Sequence, residues 1–236
     1  MFFLAIYKLG KLVLSDSKLA YLSLLPFCIP KFIAGTNILT SDTFFGYRSV
    51  GLIFFLYFLA FLLQKRIYLA SVVAGIGIFF HPLLIIPNFF NLPAVIYSNF
   101  KAGKQKAVKM ARSLMIFIPV FAVYILIMKP SQSSYLQLLN LFNREWYEII
   151  RSRDSYLFPS LWSKIEWSAL IFYLFLIIVF YNRLEKDIKK IVIAISIVSI
   201  SIFLINFLLL DVAKIPLIAQ LQLVRSIMPL AFLSLS

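Results

Sequence analysis

The sequence has little of the residues on which most soluble enzymes and redox proteins depend. Its 236 residues include one cysteine, one histidine and nine acidic residues, and charged residues are 14% of the chain. Soluble domains are about 25% charged, so this chain lacks the polar shell of a water-soluble enzyme or DNA-binding protein. The lone Cys28 cannot form an internal disulfide.

The motifs of nucleotide and metal chemistry are also missing from the sequence. It has no glycine-rich phosphate loop, no serine nucleophile elbow, no cluster of Cys or His and no Asp-x-Asp pair for a divalent cation. We therefore predict no cofactor, no metal site and no ATP-driven pump.

Apolar residues are abundant instead. They make up 62% of the chain, against about 45–50% in soluble proteins, and they form continuous runs without the alternation of a membrane β-barrel. This predicts an all-α fold, a polytopic transmembrane helix bundle in one domain, with about seven spans plus a truncated C-terminal span. The predicted spans are residues 19–35, 49–64, 67–80, 83–100, 113–128, 167–181, 191–210 and, cut short, 226–236.

The basic residues are distributed unevenly between the loops. Alternate loops, at residues 1–18, 65–66, 101–112 and 182–190, hold fourteen of the 23 Lys and Arg residues and three acidic residues. The other loops hold nine basic and six acidic residues. Because Lys and Arg concentrate in short cytoplasmic loops, we predict a multi-pass protein of the bacterial inner membrane with residues 1–18 in the cytoplasm. The net charge of +14 then reflects topology, and no nucleic-acid partner is expected.

The two termini suggest that the sequence is a piece of a longer protein. Residues 1–14 are predicted to be a short surface helix or the tail of a span that begins upstream. No cleavable signal is expected, since Lys8 and Lys11 follow the first apolar residues instead of preceding them. At the other terminus, residues 226–236 would form a helix of roughly 16 Å, about half of the hydrocarbon core. A re-entrant end buried in a larger bundle is the alternative.

The longest hydrophilic segment, residues 130–166, is predicted to be an outer loop with an amphipathic helix in the membrane interface. One face of this helix is apolar and the other is polar. The alternative is an anchoring helix that covers the bundle. The predicted apolar face comprises Tyr135, Leu138, Leu139, Phe142, Trp146, Ile149 and Ile150.

The second half of this loop carries candidate substrate-binding residues, namely Arg151, Arg153, Asp154, Tyr156 and Trp162. The planar guanidinium group suits phosphate or pyrophosphate, and aromatic faces suit the apolar side of a sugar ring. An Arg–Asp pair within the loop, with aromatic anchors, is the alternative interpretation.

Three further ionisable residues lie at predicted outer ends of spans. His81, before Pro82, is a candidate general base or a residue that hydrogen-bonds the turn which the proline imposes. Arg48 and Arg225 are candidate substrate-binding residues, because charges at this depth are costly. Both could instead extend their side chains to the lipid headgroups.

Several short motifs follow one another in a familiar order. They are Ser41-Asp-Thr-Phe-Phe-Gly-Tyr-Arg48, His81-Pro82-Leu83, Arg153-Asp-Ser-Tyr-Leu-Phe-Pro-Ser-Leu-Trp162 and Leu221-Gln-Leu-Val-Arg225, with a Lys-rich loop after the second. Over residues 40–230 the chain resembles the central part of uncharacterised bacterial polytopic proteins related to the GT-C superfamily of glycosyltransferases.

The resemblance implies a multi-span enzyme that uses a polyprenyl-phosphate-linked sugar donor at a site on the non-cytoplasmic face. Arg48, His81, Arg153, Tyr156, Trp162 and Arg225 would line its outer cavity. A carboxylate would activate the acceptor, and arginines would stabilise the departing lipid phosphate.

The chain departs from that pattern in its first outer loop. Such families place a catalytic carboxylate there, often as an acidic pair, whereas this loop is short and offers Asp42 alone. Either the carboxylate loop belongs to a missing N-terminal portion, or the protein is not a glycosyltransferase. The alternative function is a non-catalytic membrane subunit or a lipid or polyisoprenoid transporter, whose partners would be membrane lipids.

Overall fold

The computed structural model describes residues 1–14, 16–29, 32–33, 36, 38–39, 46–99, 104–128 and 143–235. Over these residues the protein is mostly helical, which confirms the predicted all-α class. The helices are α1 (Phe2–Leu14), α2 (Ser17–Leu22), α3 (Leu25–Cys28), α4 (Tyr47–Leu63), α5 (Ile67–Phe80), α6 (Pro82–Phe89), α7 (Asn91–Asn99), α8 (Lys104–Met128), α9 (Arg144–Arg153), α10 (Lys164–Phe180), α11 (Lys186–Asn206), α12 (Pro216–Leu221) and α13 (Met228–Leu235). Two short strands, β1 (Phe32–Ile33) and β2 (Ile38–Leu39), pair antiparallel.

Two helical stretches of the described chain are long and apolar enough to cross a membrane, Lys164–Arg183 and Lys186–Val212. Four other apolar helical stretches of the described chain have only 10–17 residues, namely Tyr47–Leu63, Ile67–Phe80, Pro82–Ser98 and Leu223–Leu235. Seven full spans are therefore not shown. The predicted span at residues 19–35 is wrong. That run is divided into α2, α3 and β1, because Pro26 starts a new short helix instead of continuing the earlier one.

Side-chain caps fix where several helices begin. The Asp16 carboxylate accepts from the Lys18 amide and starts α2, and the Asn143 side chain accepts from the Glu145 amide and starts α9. At the start of α10, Ser163 and Glu166 form a reciprocal capping box. Such caps satisfy amide groups that have no partner within the helix.

The predicted amphipathic helix is present over residues 144–153, but its apolar residues are divided between two sides. Tyr147 is buried and Ile150 packs against the core, whereas Trp146 and Ile149 are exposed. The predicted positions from Tyr135 to Phe142 lie outside the described residues. The helix therefore both covers the bundle and presents an aromatic and an aliphatic side chain outward.

A segment near the end of the chain fills the centre of the bundle. The residues of the 3₁₀ turn Leu223–Ile227 are all buried, and burial continues along α13 to Leu233. Phe232 on α13 stacks on Phe27 with ring centroids 5.4 Å apart and contacts the edge of Phe55 on α4. This segment packs against α6, α10 and α11, so it holds together helices that are distant in sequence.

Two groups of turns lie at opposite ends of the antiparallel pair α4 and α5. At one end, which we call the lysine end, Lys65 after α4 pairs with Asp187 in the first turn of α11. At the other, which we call the arginine end, Tyr47 and Arg48 at the start of α4 meet His81 after α5. Each end therefore brings together loops that the charge pattern assigned to one side.

Candidate anion-binding site

His81 is positioned by the turn between α5 and α6. Its amide donates to the Gly77 carbonyl at the end of α5, and Pro82 begins α6 directly after it. Gly51 on α4 allows the close approach, because a Cβ atom added there would lie 2.4 Å from the His81 Cβ. Van der Waals contact requires a larger separation, so α4 carries a notch into which His81 fits.

Arg225 reaches the same point from the buried 3₁₀ turn. The turn begins at Gln222, whose φ of 48° is in the left-handed region that non-glycine residues adopt uncommonly. Only 4% of Arg225 is exposed. Its Nη1 lies 3.0 Å from His81 Nε2, and its backbone carbonyl accepts from Asn88 Nδ2 at 3.2 Å.

The contact between Arg225 and His81 defines the protonation state of the imidazole. A guanidinium group can only donate, so His81 Nε2 accepts and the ring carries its proton on Nδ1. Burial, together with the charges of Arg225 and Arg48, lowers the pKa of His81 well below its ordinary value. His81 is therefore a neutral acceptor at physiological pH, unlike a histidine that exchanges protons near neutrality.

Aromatic and cationic groups complete the environment of Arg225. The Tyr156 side chain lies near the guanidinium group and interacts with it electrostatically, and the charge of Arg48 acts on both Arg225 and His81. The Tyr47 ring meets the His81 ring edge to face, with centroids 6.2 Å apart. Arg48, His81, Tyr156 and Arg225, which are separated by up to 177 positions in the numbering of the chain, thus form one cluster.

The cluster has an excess of positive charge. Across the described ranges, no carboxylate forms an ion pair with Arg225 or Arg48. The Nε atom of Arg225 is buried and has no hydrogen-bond partner there. Buried charges are normally paired, because removal from water is costly. A second cation close by and a free N–H group are the features of a site that accepts an anion.

The remaining predicted residues lie elsewhere. Arg153 is exposed and pairs with Asp154 at 3.0 Å, as the alternative interpretation of the loop has it. Trp162 is buried against Trp167 and Phe203, and its Nε1 donates to the Tyr156 carbonyl at 2.9 Å. It therefore supports the turn that carries Tyr156. Asp42 lies outside the described residues.

Arg151 belongs to a second polar cluster, which sequence reasoning missed. Its members are Tyr147, Ser160 and Asp211, with Lys214 beside them. In the sequence, Asp211 follows a long apolar run and was counted only as one of the six acidic residues of the outer loops. Asn88, Gly51 and Tyr47 were also missed, although a polar amide next to Pro87 within an apolar run was a usable signal.

Among the residues that the structure describes, no three His, Cys, Asp or Glu side chains come together as a metal site. No family model, curated protein or solved structure matches this chain. The chemistry of the site is therefore argued from its own residues.

Proposed function

We propose that this chain is a multi-pass protein of the bacterial inner membrane, with its N-terminus in the cytoplasm, and that the arginine end binds the phosphate of a lipid-linked substrate. The substrate class that fits the earlier resemblance is a polyprenyl-phosphate-linked sugar, used by a GT-C-like glycosyltransferase or by part of one. The observation that carries the proposal is the buried Arg225, which contacts the neutral His81 and has the Tyr156 side chain and a second arginine nearby.

Each residue of the cluster has a definite role in this proposal. The guanidinium group of Arg225 offers its free Nε–H to a phosphate oxygen, while His81 and Tyr156 hold the rest of the group in place. Arg48 is exposed and adds a second positive charge at the entrance. In a glycosyl transfer the two arginines would stabilise the negative charge that develops on the departing lipid phosphate.

The second candidate function is a lipid or polyisoprenoid transporter or a non-catalytic subunit. An apolar groove of about 330 Å³ supports it, because such a groove suits an acyl or prenyl chain. The groove is lined by residues of α1, α2, α10, α11 and α13, among them Leu14, Leu22, Leu176, Phe180 and Leu235. Both functions share a lipid ligand and differ in whether a bond is transferred.

The test is binding of undecaprenyl phosphate to the full chain in phosphatidylcholine nanodiscs, measured by native mass spectrometry. We expect Arg225→Gln to weaken retention about 10- to 100-fold, since one charge-assisted hydrogen bond contributes about 1.5–3 kcal/mol. Arg48→Gln should weaken it less, because the exposed charge is screened. Equal retention by the wild type and both variants would refute the proposed site.

A matched control is Arg66→Gln, which removes one exposed positive charge at the lysine end. It should leave retention unchanged. Equal losses in Arg66→Gln and Arg48→Gln would mean that net charge alone attracts the lipid. If the wild type binds the lipid phosphate but transfers no sugar from its glycosylated form to any lipid acceptor, the transporter or subunit alternative is favoured.

A further inference from the structure

The second polar cluster centres on Asp211, in a π-helical turn at Phe207–Val212. π-Turns are rare and frequently occur at functional sites, because the extra residue redirects a side chain. One carboxylate oxygen, Oδ1, accepts a hydrogen bond from the Ser160 hydroxyl. The other, Oδ2, is buried and has no hydrogen-bond partner among the described residues.

Arg151 on α9 supplies the complementary atom. Its guanidinium carbon lies 6.0 Å from the centre of the Tyr147 ring, and its charge acts on Asp211. The two side chains do not form an ion pair in the described chain, and Arg151 Nε is also buried without a partner. A free N–H donor and a free carboxylate oxygen therefore lie in one cluster.

A cleft of about 450 Å³ opens beside this cluster. It is lined by Arg144, Tyr147, Glu148 and Lys214. Lys214 Nζ lies 4.7 Å from the centre of the Tyr147 ring, which fixes the position of the cation. The cleft is large enough for a small headgroup, and its lining includes both positively and negatively charged side chains.

The charges restrict which ligands fit. A metal ion is disfavoured because Arg144 and Lys214 line the cleft and the charge of Arg151 acts on Asp211, and a simple anion is repelled by Glu148 in the cleft and by Asp211 in the cluster. A hydroxyl group both donates and accepts. It can donate to Asp211 Oδ2 while accepting from Arg151 Nε, and so it satisfies both free atoms.

We propose that Arg151, Ser160 and Asp211 form a binding site for a hydroxyl group of a glycosyl lipid headgroup. The neighbouring α9 residues Trp146 and Ile149 are exposed, and such side chains are typical of the membrane interface where headgroups lie. The inference is independent of the anion site, since it rests on different residues. Tyr156 and Ser160 lie within about 14 Å of each other by chain length, so the two sites are neighbours.

The experiment uses the full chain in phosphatidylcholine nanodiscs doped with monoglucosyl diacylglycerol, with retained lipid measured by native mass spectrometry. We expect Asp211→Asn and Arg151→Gln each to reduce retention about tenfold, the effect of one hydrogen bond to a charged group. The control Glu145→Gln removes an exposed charge from the same helix and should bind as the wild type does. In a second arm of the experiment, free glucose is added at millimolar concentration. If it displaces the glucosyl lipid, the sugar alone is recognised.

Two results would overturn the proposal. One is equal retention by the wild type and Arg151→Gln, which decides the matter even if Asp211→Asn fails to fold. The other is no preference of the wild type for the glucosyl lipid over phosphatidylcholine. Arg48→Gln separates the two sites, because it should weaken binding of undecaprenyl phosphate and leave retention of the glucosyl lipid unchanged.

Discussion

The two ends of the α4–α5 pair hold their charges in opposite ways. At the lysine end, the Lys65–Asp187 ion pair has a side-chain exposure of 32% for Lys65 and 66% for Asp187. At the arginine end, Arg225 is buried, and its guanidinium group contacts the neutral His81, with the Tyr156 side chain nearby. One end pairs its charge in contact with solvent, whereas the other keeps its charge inside and leaves it without a carboxylate in the described chain.

The difference between the two ends indicates which charges affect the stability of the fold and which can bind a ligand. An exposed ion pair contributes little, because water already solvates both groups. A buried cation costs free energy, and a neutral histidine does not remove that cost. The arginine end therefore has a reason to take up an anion that the lysine end lacks.

The largest effect on this comparison should come from filling the notch in α4. Gly51→Ala places a Cβ atom against the His81 Cβ, which cannot move without its backbone. We expect a loss of about 2–3 kcal/mol in the free energy of unfolding, typical of an overpacked core. Denaturation in mild detergent measures it.

Gly46→Ala is the matched control. No atom lies within 4 Å of a Cβ added at that position, so this variant should lose only the roughly 0.5–1 kcal/mol that replacing an N-cap glycine by alanine costs. If both variants lose the same stability, the close packing of α4 against His81 is not what holds the arginine end together.

The second effect is a pH dependence that belongs to the arginine end. The pKa of His81 is lowered in the folded protein by burial and by the nearby arginines, so protons bind more readily to the unfolded chain. The stability that His81 contributes is fully present above its unfolded pKa of about 6.5 and falls as the pH decreases below that value, by about 1.4 kcal/mol per pH unit.

His81→Asn should remove this part of the pH dependence. We therefore compare the melting temperatures of the wild type and His81→Asn between pH 7.5 and pH 5. Where the wild type melts higher at pH 7.5, the difference should shrink as the pH falls to 5. Parallel curves over the whole range would contradict a neutral, buried His81.

The smallest effect should come from the lysine end. Lys65→Gln and Asp187→Asn each remove one partner of an exposed ion pair, and we expect no measurable change in melting temperature at physiological salt. The double variant should behave as the single variants do. A clear loss in either single variant that the double variant restores would show that the lysine end depends on its ion pair.

The sequence predicted regular helices better than the connections between them. The predicted span 67–80 coincides with α5, and 49–64 differs from α4 by a few residues, because continuous apolar runs bounded by charged turns are a strong signal. The run 19–35 is also largely apolar, but it does not form one helix. Mean hydropathy does not show that a proline starts a new helix, so the division of this run into short elements was not predicted.

The candidate site could be predicted only in part, for a different reason. Arg48, His81, Tyr156 and Arg225 were singled out one by one as costly residues near helix ends, and the structure brings them together. Arg153 was also predicted from the sequence to bind substrate, yet its side chain is exposed and pairs with Asp154. Proximity across 144 positions, as between His81 and Arg225, depends on helix packing that composition does not encode.

The buried segment from Leu223 to Leu233 has a consequence for how the chain assembles. It follows α1 to α11 in the sequence, and a ribosome synthesises those helices first. The apolar surfaces of α6, α10 and α11 that this segment covers must therefore wait beside lipid or a chaperone until it emerges. The order of synthesis therefore makes this innermost segment emerge after the helices whose apolar surfaces it covers.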